Sequence, residues 1–135
     1  MMIALLYCMH LGLLVFEPVL SSKQLALAIQ KEYRPGEIIV INGEYEGGST
    51  LNFYTGIQVH ILNGRSANLR YGSLFPDAPQ IFEDDNSFAR LWAGPARVYL
   101  WTREKAFQGV IPRNLYELAR AGGKLILTNH PRNAN

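Results

Sequence analysis

The chain has 135 residues, 48% of them apolar and 18% charged, with 13 basic and 11 acidic side chains. That length suits one domain, and that composition excludes a disordered, collagen-like or long coiled-coil chain. A single cysteine, Cys8, excludes an internal disulfide framework and a cysteine-based zinc site.

Met1–Phe16 (MMIALLYCMHLGLLVF) is apolar except for His10 and Gly12. As a helix it would span about 24 Å against a hydrocarbon core of about 30 Å. It lacks the basic start and small-residue cleavage site of a secretory signal. An interior helix of a soluble fold is the alternative, but a helix apolar all round, with Tyr7 and Phe16 near its ends, suits lipid better. Glu17-Pro18 is expected to break the run. Residues 1–20 are therefore read as an apolar, transmembrane-like helix and residues 21–135 as a separate soluble α/β domain.

Ser21-Ser22 offers an N-cap for an amphipathic helix over Lys23–Tyr33, which Pro35-Gly36 ends. Ile38–Ile41 is a β-branched run suited to a strand covered on both faces. A glycine-rich loop, a short helix near Leu51–Tyr54 and a strand over Gln58–Leu62 come next. Asn63-Gly64 predicts a hairpin into a strand at Asn68–Tyr71. Gly72–Gln80 reads as loop, and Glu83-Asp84-Asp85 as the acidic start of a helix bearing Phe88, Leu91 and Trp92 on one face. Arg97–Thr102 predicts a strand. The spacing of Ile111, Leu115, Leu118 and Ala119 predicts a helix capped at Gly122-Gly123, and Lys124–Thr128 the last strand. This alternation, without repeats or a linker, predicts a single three-layer α/β sandwich: about five mostly parallel strands with helices on both faces, preceded by the apolar helix.

Charge is uneven along the lobe. Ser21–Asp85 holds 5 basic and 8 acidic residues, Asn86–Asn135 holds 8 and 2. A basic half suits phosphate-bearing partners, but these cations are dispersed and read most simply as solvated surface. Gly43–Thr50 (GEYEGGST) approaches a phosphate-cradling loop, yet Ser49 stands where the lysine belongs and Glu44 and Glu46 would repel a phosphate. Nucleotide hydrolysis is excluded on that ground; a turn, or a loop for a neutral or sugar-like group, remains. Glu83, Asp84 and Asp85 point in different directions on one turn. No two of His10, His60 and His130 have metal-ligand spacing, and no nucleophile elbow is present. Trp92, Tyr99 and Trp101 read as core. No catalytic residue, cofactor or metal site is assigned.

The stretches Phe53–Phe82, Phe88–Thr102 and Gly122–Pro131, with SSKQLA at Ser21–Ala26 and FYTG at Phe53–Gly56, resemble a particular module. It is the C-terminal soluble domain of bacterial multi-spanning glycosyltransferases of the dolichyl-phosphate-mannose protein mannosyltransferase and aminoarabinose–lipid A transferase type. The resemblance implies an accessory domain, on the periplasmic side of a bacterial inner membrane, of an enzyme moving a sugar from a polyprenyl-phosphate carrier to a lipid, protein or glycan. It further implies partners in the lipid, the parent enzyme's transmembrane bundle and the donor, and no nucleic acid. The family's catalytic acid lies in an early extracytoplasmic loop that matches no position here, so the chain should be a truncated product, silent alone. Tyr45, Tyr54, Arg65 and Arg70 are its candidate contacts with substrate or partner. The competing expectation is a free-standing, membrane-anchored binding or adaptor module without transferase activity.

Overall fold

The computed structural model describes residues 1–65, 67–106 and 114–132. Its first helix, α1 (Met2–Leu20), continues through Glu17 and Pro18 to Ser21, whose amide donates to the Glu17 carbonyl at 2.8 Å. The expected break at Glu17-Pro18 does not occur, because a proline there removes only one ladder bond close to the helix end. The extension brings α1 to 19 residues, about 28 Å long at 1.5 Å per residue and close to the hydrocarbon thickness. By length and composition it can cross a membrane. None of its residues is buried, which removes the interior-helix alternative.

The lobe behind it has the order α2 (Lys23–Glu32), β1 (Ile38–Asn42), α3 (Tyr45–Thr55), β2 (Val59–Leu62), α4 (Ala67–Gly72), β3 (Phe82–Glu83), α5 (Asp85–Ala93), β4 (Val98–Arg103), β5 (Tyr116–Ala121) and β6 (Lys124–Thr128). The six strands form one sheet in the order β3-β2-β1-β4-β6-β5. β3, β2, β1 and β4 run parallel, while β6 is antiparallel to both β4 and β5. From β1 the chain steps outward to β2, and from β3 it crosses back past β1 to β4. Right-handed crossovers in opposite directions require their helices on opposite faces. Accordingly, Leu25, Ala26 and Ile29 of α2 and Leu51 of α3 pack on one face with Tyr99 and Trp101. Phe88 and Trp92 of α5 pack on the other with Val98 and Leu100. The expected three-layer α/β sandwich is observed, with Trp92, Tyr99 and Trp101 in its core.

Three local expectations are corrected. The glycine-rich segment is not a loop: α3 begins at Tyr45 and takes Gly47 and Gly48 into its interior. A Cβ on Gly48 would lie 2.9 Å from Ile41 Cδ1 and Cγ1, and one on Gly47 2.9 Å from Trp101 Cη2. The glycines let α3 lie close on the sheet, which outweighs their poor helix propensity. Asn63-Gly64 does not turn a hairpin either, and Asn68–Tyr71 lies in α4; β2 pairs instead with the two-residue β3. A Cβ on Gly64 would strike the Gly43 carbonyl, so this glycine permits a close approach of two loops.

The last expected helix, marked by Ile111, Leu115, Leu118 and Ala119, is not observed: Leu118 and Ala119 lie in strand β5, Leu115 just precedes it, and Ile111 lies outside the described residues. A bulge between Glu117 and Ala119 breaks the strand alternation, and Leu118 and Ala119 both join the same core cluster. Adjacent inward residues imitate helical spacing. Gly122 and Gly123, at φ 56° and 73°, turn the β5–β6 hairpin in the left-handed conformation that also caps helices.

Gly48→Ala is expected to lower the lobe's stability by about 1–3 kcal/mol, since Ile41 is fully buried and has nowhere to move. Gly72→Ala, with nothing within 4 Å of the added methyl, should leave it unchanged. Urea unfolding of both variants in detergent micelles measures the difference.

Candidate functional site

In an open parallel sheet the natural ligand crevice lies outside the carboxyl ends of the strands where strand order reverses. Here that point is between β1 and β4. Asn42 Nδ2 donates to Thr102 Oγ1 at 3.2 Å across it, and beyond it stand Gly43, Glu44, Tyr45 and Arg103. Glu44 and Arg103 are exposed.

The same edge carries the joint with α1. The Ser22 amide donates to Thr50 Oγ1 at 2.9 Å, and Ser22 Oγ accepts from Trp101 Nε1 at 3.1 Å. Lys124 Nζ donates to the Ser21 carbonyl at 3.0 Å. Burial lowers the Lys124 pKa, the nearby Arg103 lowers it further, and Glu17 opposes both. Gly122 lies against the Pro18 carbonyl so closely that a Cβ would overlap it. Ser22 occupies the expected N-cap position of α2, but its hydroxyl makes no cap bond; it anchors the helix junction to the sheet instead.

Of the four candidate contacts, Tyr45 and Arg65 stand at this edge, just after the ends of β1 and β2. Tyr45 Oη accepts from Asn52 Nδ2 at 3.3 Å. Arg65 is exposed, its guanidinium 5.0 Å over the Phe82 ring. Arg70 is exposed on α4, in the segment that leaves from the same edge. Tyr54 is not brought to them: it lies nine residues further along α3, about 13 Å toward the opposite pole. Its ring lies beside Phe53 at 5.2 Å and beneath Lys23 Nζ at 5.9 Å.

The remaining polar motifs serve the fold. Ser49 Oγ donates to the Glu46 carbonyl at 3.1 Å, and Thr50 holds Ser22. Glu83 Oε1 lies 2.7 Å from His60 Nδ1, tying β3 to β2. Asp84 caps α5 in a reciprocal capping box with Ser87, whose backbone N–H is the main cause holding its carboxyl below the ordinary value. Asp85 accepts from Asn63 Nδ2 at 2.7 Å. Among the described residues no group of three or more His, Cys, Asp or Glu is placed to hold a metal.

At the opposite pole Arg97 is 6% exposed and donates from Nη2 to Glu32 at 2.7 Å and from Nε to Thr128 at 3.2 Å. Tyr99 Oη donates to Glu37 at 2.8 Å. Burial and that carboxylate raise the Tyr99 pKa well above the phenol range. Asn129 accepts from the Val98 amide and donates to the Trp92 and Ala96 carbonyls. An open cleft of ≈ 370 Å³ adjoins this network, lined by Arg34, Glu37, Arg97 and His130. Sequence reading missed these latches; a charged residue opening an otherwise apolar strand, as Arg97 and Lys124 both do, was the available signal.

No family model matches the sequence, and no curated protein matches it. Two solved structures share its fold. The apo crystal structure of ArnT from Cupriavidus metallidurans superposes with a TM-score of 0.66 at 20% identity, covering 84% of this chain and 20% of that one. ArnT from the same organism bound to undecaprenyl phosphate gives 0.67 at 21% identity, covering 90% and 22%. The chain thus spans about a fifth of the length of the structures it matches, and the likeness is one of fold.

The buried pair at the far pole has a pH signature. Burial alone would raise the Glu32 pKa, but hydrogen bonds and charge from Arg97 and Arg132 outweigh it and hold the carboxyl below its ordinary 4.5. A depressed acid stabilises the fold above the unfolded-state pKa and loses that contribution as pH falls through the folded value. Glu32→Gln is therefore expected to flatten the loss of stability below about pH 4.5, and Arg97→Ala to cost about 1–3 kcal/mol at pH 7, since it removes the buried partner of Glu32 but leaves the exposed Arg132 bonded to it. Urea unfolding at a series of pH values checks both.

Proposed function

We propose that this chain is a membrane-anchored α/β domain of a polyprenyl-phosphate-dependent glycosyltransferase. Residues 1–20 cross the bilayer, and residues 21–135 stand on the periplasmic side of a bacterial inner membrane. The observation that carries this reading is the shared fold with ArnT, a protein crystallised with undecaprenyl phosphate, over 90% of the chain. The fully exposed, bilayer-length α1 is consistent with it.

The lobe's role is accessory. Sugar transfer from a lipid carrier needs the carrier phosphate held at the membrane surface in a site screened from water. A rigid sheet whose carboxyl-end edge adjoins α1 supplies one wall of such a site. Tyr45 and Arg65 are its contacts with donor or neighbouring helices, and Arg70 a more peripheral one. Tyr54, further down α3, supports the wall rather than touching the donor. Glu83, Asp84, Asp85 and Ser49 are engaged within the fold, and the chemical step belongs to other parts of the enzyme.

Photocrosslinking tests this in vesicles containing the 135-residue chain and a radiolabelled polyprenyl-phosphate sugar. A benzophenone at Tyr45 is expected to crosslink to a C–H bond of the labelled carrier lipid, one at Tyr54 is not, and no sugar should be released. Arg65→Ala should lower capture about ten-fold, as loss of one charge-assisted contact does. Sugar release by the chain alone would overturn the accessory role. Capture no better than that of phosphatidylglycerol would favour a membrane-anchored adaptor.

A further inference from the structure

β2 ends at Leu62 and β3 begins at Phe82, which leaves 19 residues between them. Both ends of this excursion return to one place. Phe82 pairs with Ile61, the Asn63 amide donates to the Glu83 carbonyl at 3.0 Å, and the Ile61 amide donates to the Ile81 carbonyl at 2.7 Å. Its only regular element among the described residues is the six-residue α4. A connection of that length inside a compact domain is unusual and is commonly functional.

The edge it leaves from is the α1 edge. β2 is parallel to β1 and β1 to β4. Arg103, at the end of β4, pairs with Lys124, whose Nζ holds Ser21 where α1 stops. Three strand spacings separate β2 from β6 in the sheet, so the roots of the excursion and of α1 lie about 14 Å apart along one line.

Its surface chemistry is that of a membrane interface. Tyr71 is 73% exposed, Leu74 70% and Phe75 54%. The Tyr71 and Phe75 rings meet edge to face at 5.6 Å. Arg65 and Arg70 are exposed in the same excursion, and among the described residues neither takes part in an ion pair. Asp77 is the one acid between Arg65 and Ile81. Tyrosine, phenylalanine and leucine flanked by arginine suit headgroup depth, where rings reach the acyl boundary and guanidinium groups meet lipid phosphate. Tyrosine, phenylalanine and arginine are also enriched at protein interfaces; what favours lipid here is that the excursion leaves from the sheet edge that carries α1.

We propose that this excursion is a second foot of the lobe, resting through Arg65, Arg70, Tyr71, Leu74 and Phe75 on an anionic bilayer surface beside α1. The inference depends on the reading that α1 spans the membrane. With α1 as the first attachment, a second one rooted about 14 Å away, three strand spacings along the sheet, fixes the tilt of the sheet edge against the lipid.

The test places an environment-sensitive fluorophore at Leu74→Cys, Lys31→Cys or Leu6→Cys in a Cys8→Ser background. The full chain is reconstituted in phosphatidylcholine vesicles with and without phosphatidylglycerol, and quenched by lipids spin-labelled near the headgroup or by aqueous iodide. Lys31 is exposed at the far end of α2 and serves as the water reference. The Leu74 probe should be quenched by lipid at least about two-fold more than the Lys31 probe when anionic lipid is present. Arg65→Gln and Arg70→Gln should each lower the docked-to-lifted ratio about five-fold. A Leu6 probe in lipid with a Leu74 probe as wet as Lys31 overturns the second foot and leaves the membrane reading standing; an aqueous Leu6 probe overturns both. Shielding of Leu74 from iodide without quenching by lipid would mean a protein partner, and indifference to phosphatidylglycerol would remove the arginine contacts; either result defeats the proposal.

Discussion

Ser22 is almost completely buried, and its two polar groups face in different directions for different reasons. Its amide is held by Thr50 of α3 and its hydroxyl receives the Trp101 indole from the middle of the sheet. One residue earlier the Ser21 carbonyl receives the Lys124 ammonium. Buried polar groups must be paired, and a desolvated lysine most of all, so this junction has little freedom to reorganise. It decides which edge of the sheet adjoins the apolar helix, and every functional statement about the lobe inherits that orientation.

The second constraint is how closely the helices lie on the sheet. Gly47 and Gly48 let α3 settle on Trp101 and Ile41, which in turn brings Thr50 within reach of Ser22. The segment that resembles a phosphate loop in sequence is thereby used as a packing surface. The same holds for the acidic triplet, whose members bind His60, the α5 N-terminus and Asn63. Side chains committed in this way hold strands in register and are not available to a substrate. The chemical interest of the lobe therefore shifts from its interior to its surfaces.

Those surfaces are polarised. The pole remote from α1 is closed by the Arg97–Glu32 pair and the Asn129 bonds, which join α2, β4 and the chain beyond β6. The pole next to α1 carries loops, exposed arginines and an exposed aromatic segment. The two poles thus differ in chemistry, with paired, desolvated charge at one and exposed arginine and aromatic side chains at the other.

Several elements are legible from residue pattern alone: the apolar helix, the β-branched β1, α5 with its acidic start and single apolar face, and the alternating layers. Each rests on local periodicity or on helix-start charge that reads the same in any context. β5 reads as a helix because a bulge puts two neighbouring apolar residues on one face, and the Gly-Gly turn has the same left-handed backbone in a hairpin as in a helix cap. The α4 segment reads as a strand because Asn-Gly signals a turn but carries no information on the element beyond it. Tyr45, Arg65 and Arg70 are loop candidates by sequence, but only the parallel order of β2, β1 and β4 puts them along the α1 edge and leaves Tyr54 away from it. Spacing along a chain records what each residue prefers locally. Which buried donors and acceptors meet, such as Trp101 with Ser22 across 79 positions, is decided when the sheet closes and every desolvated group must find a partner.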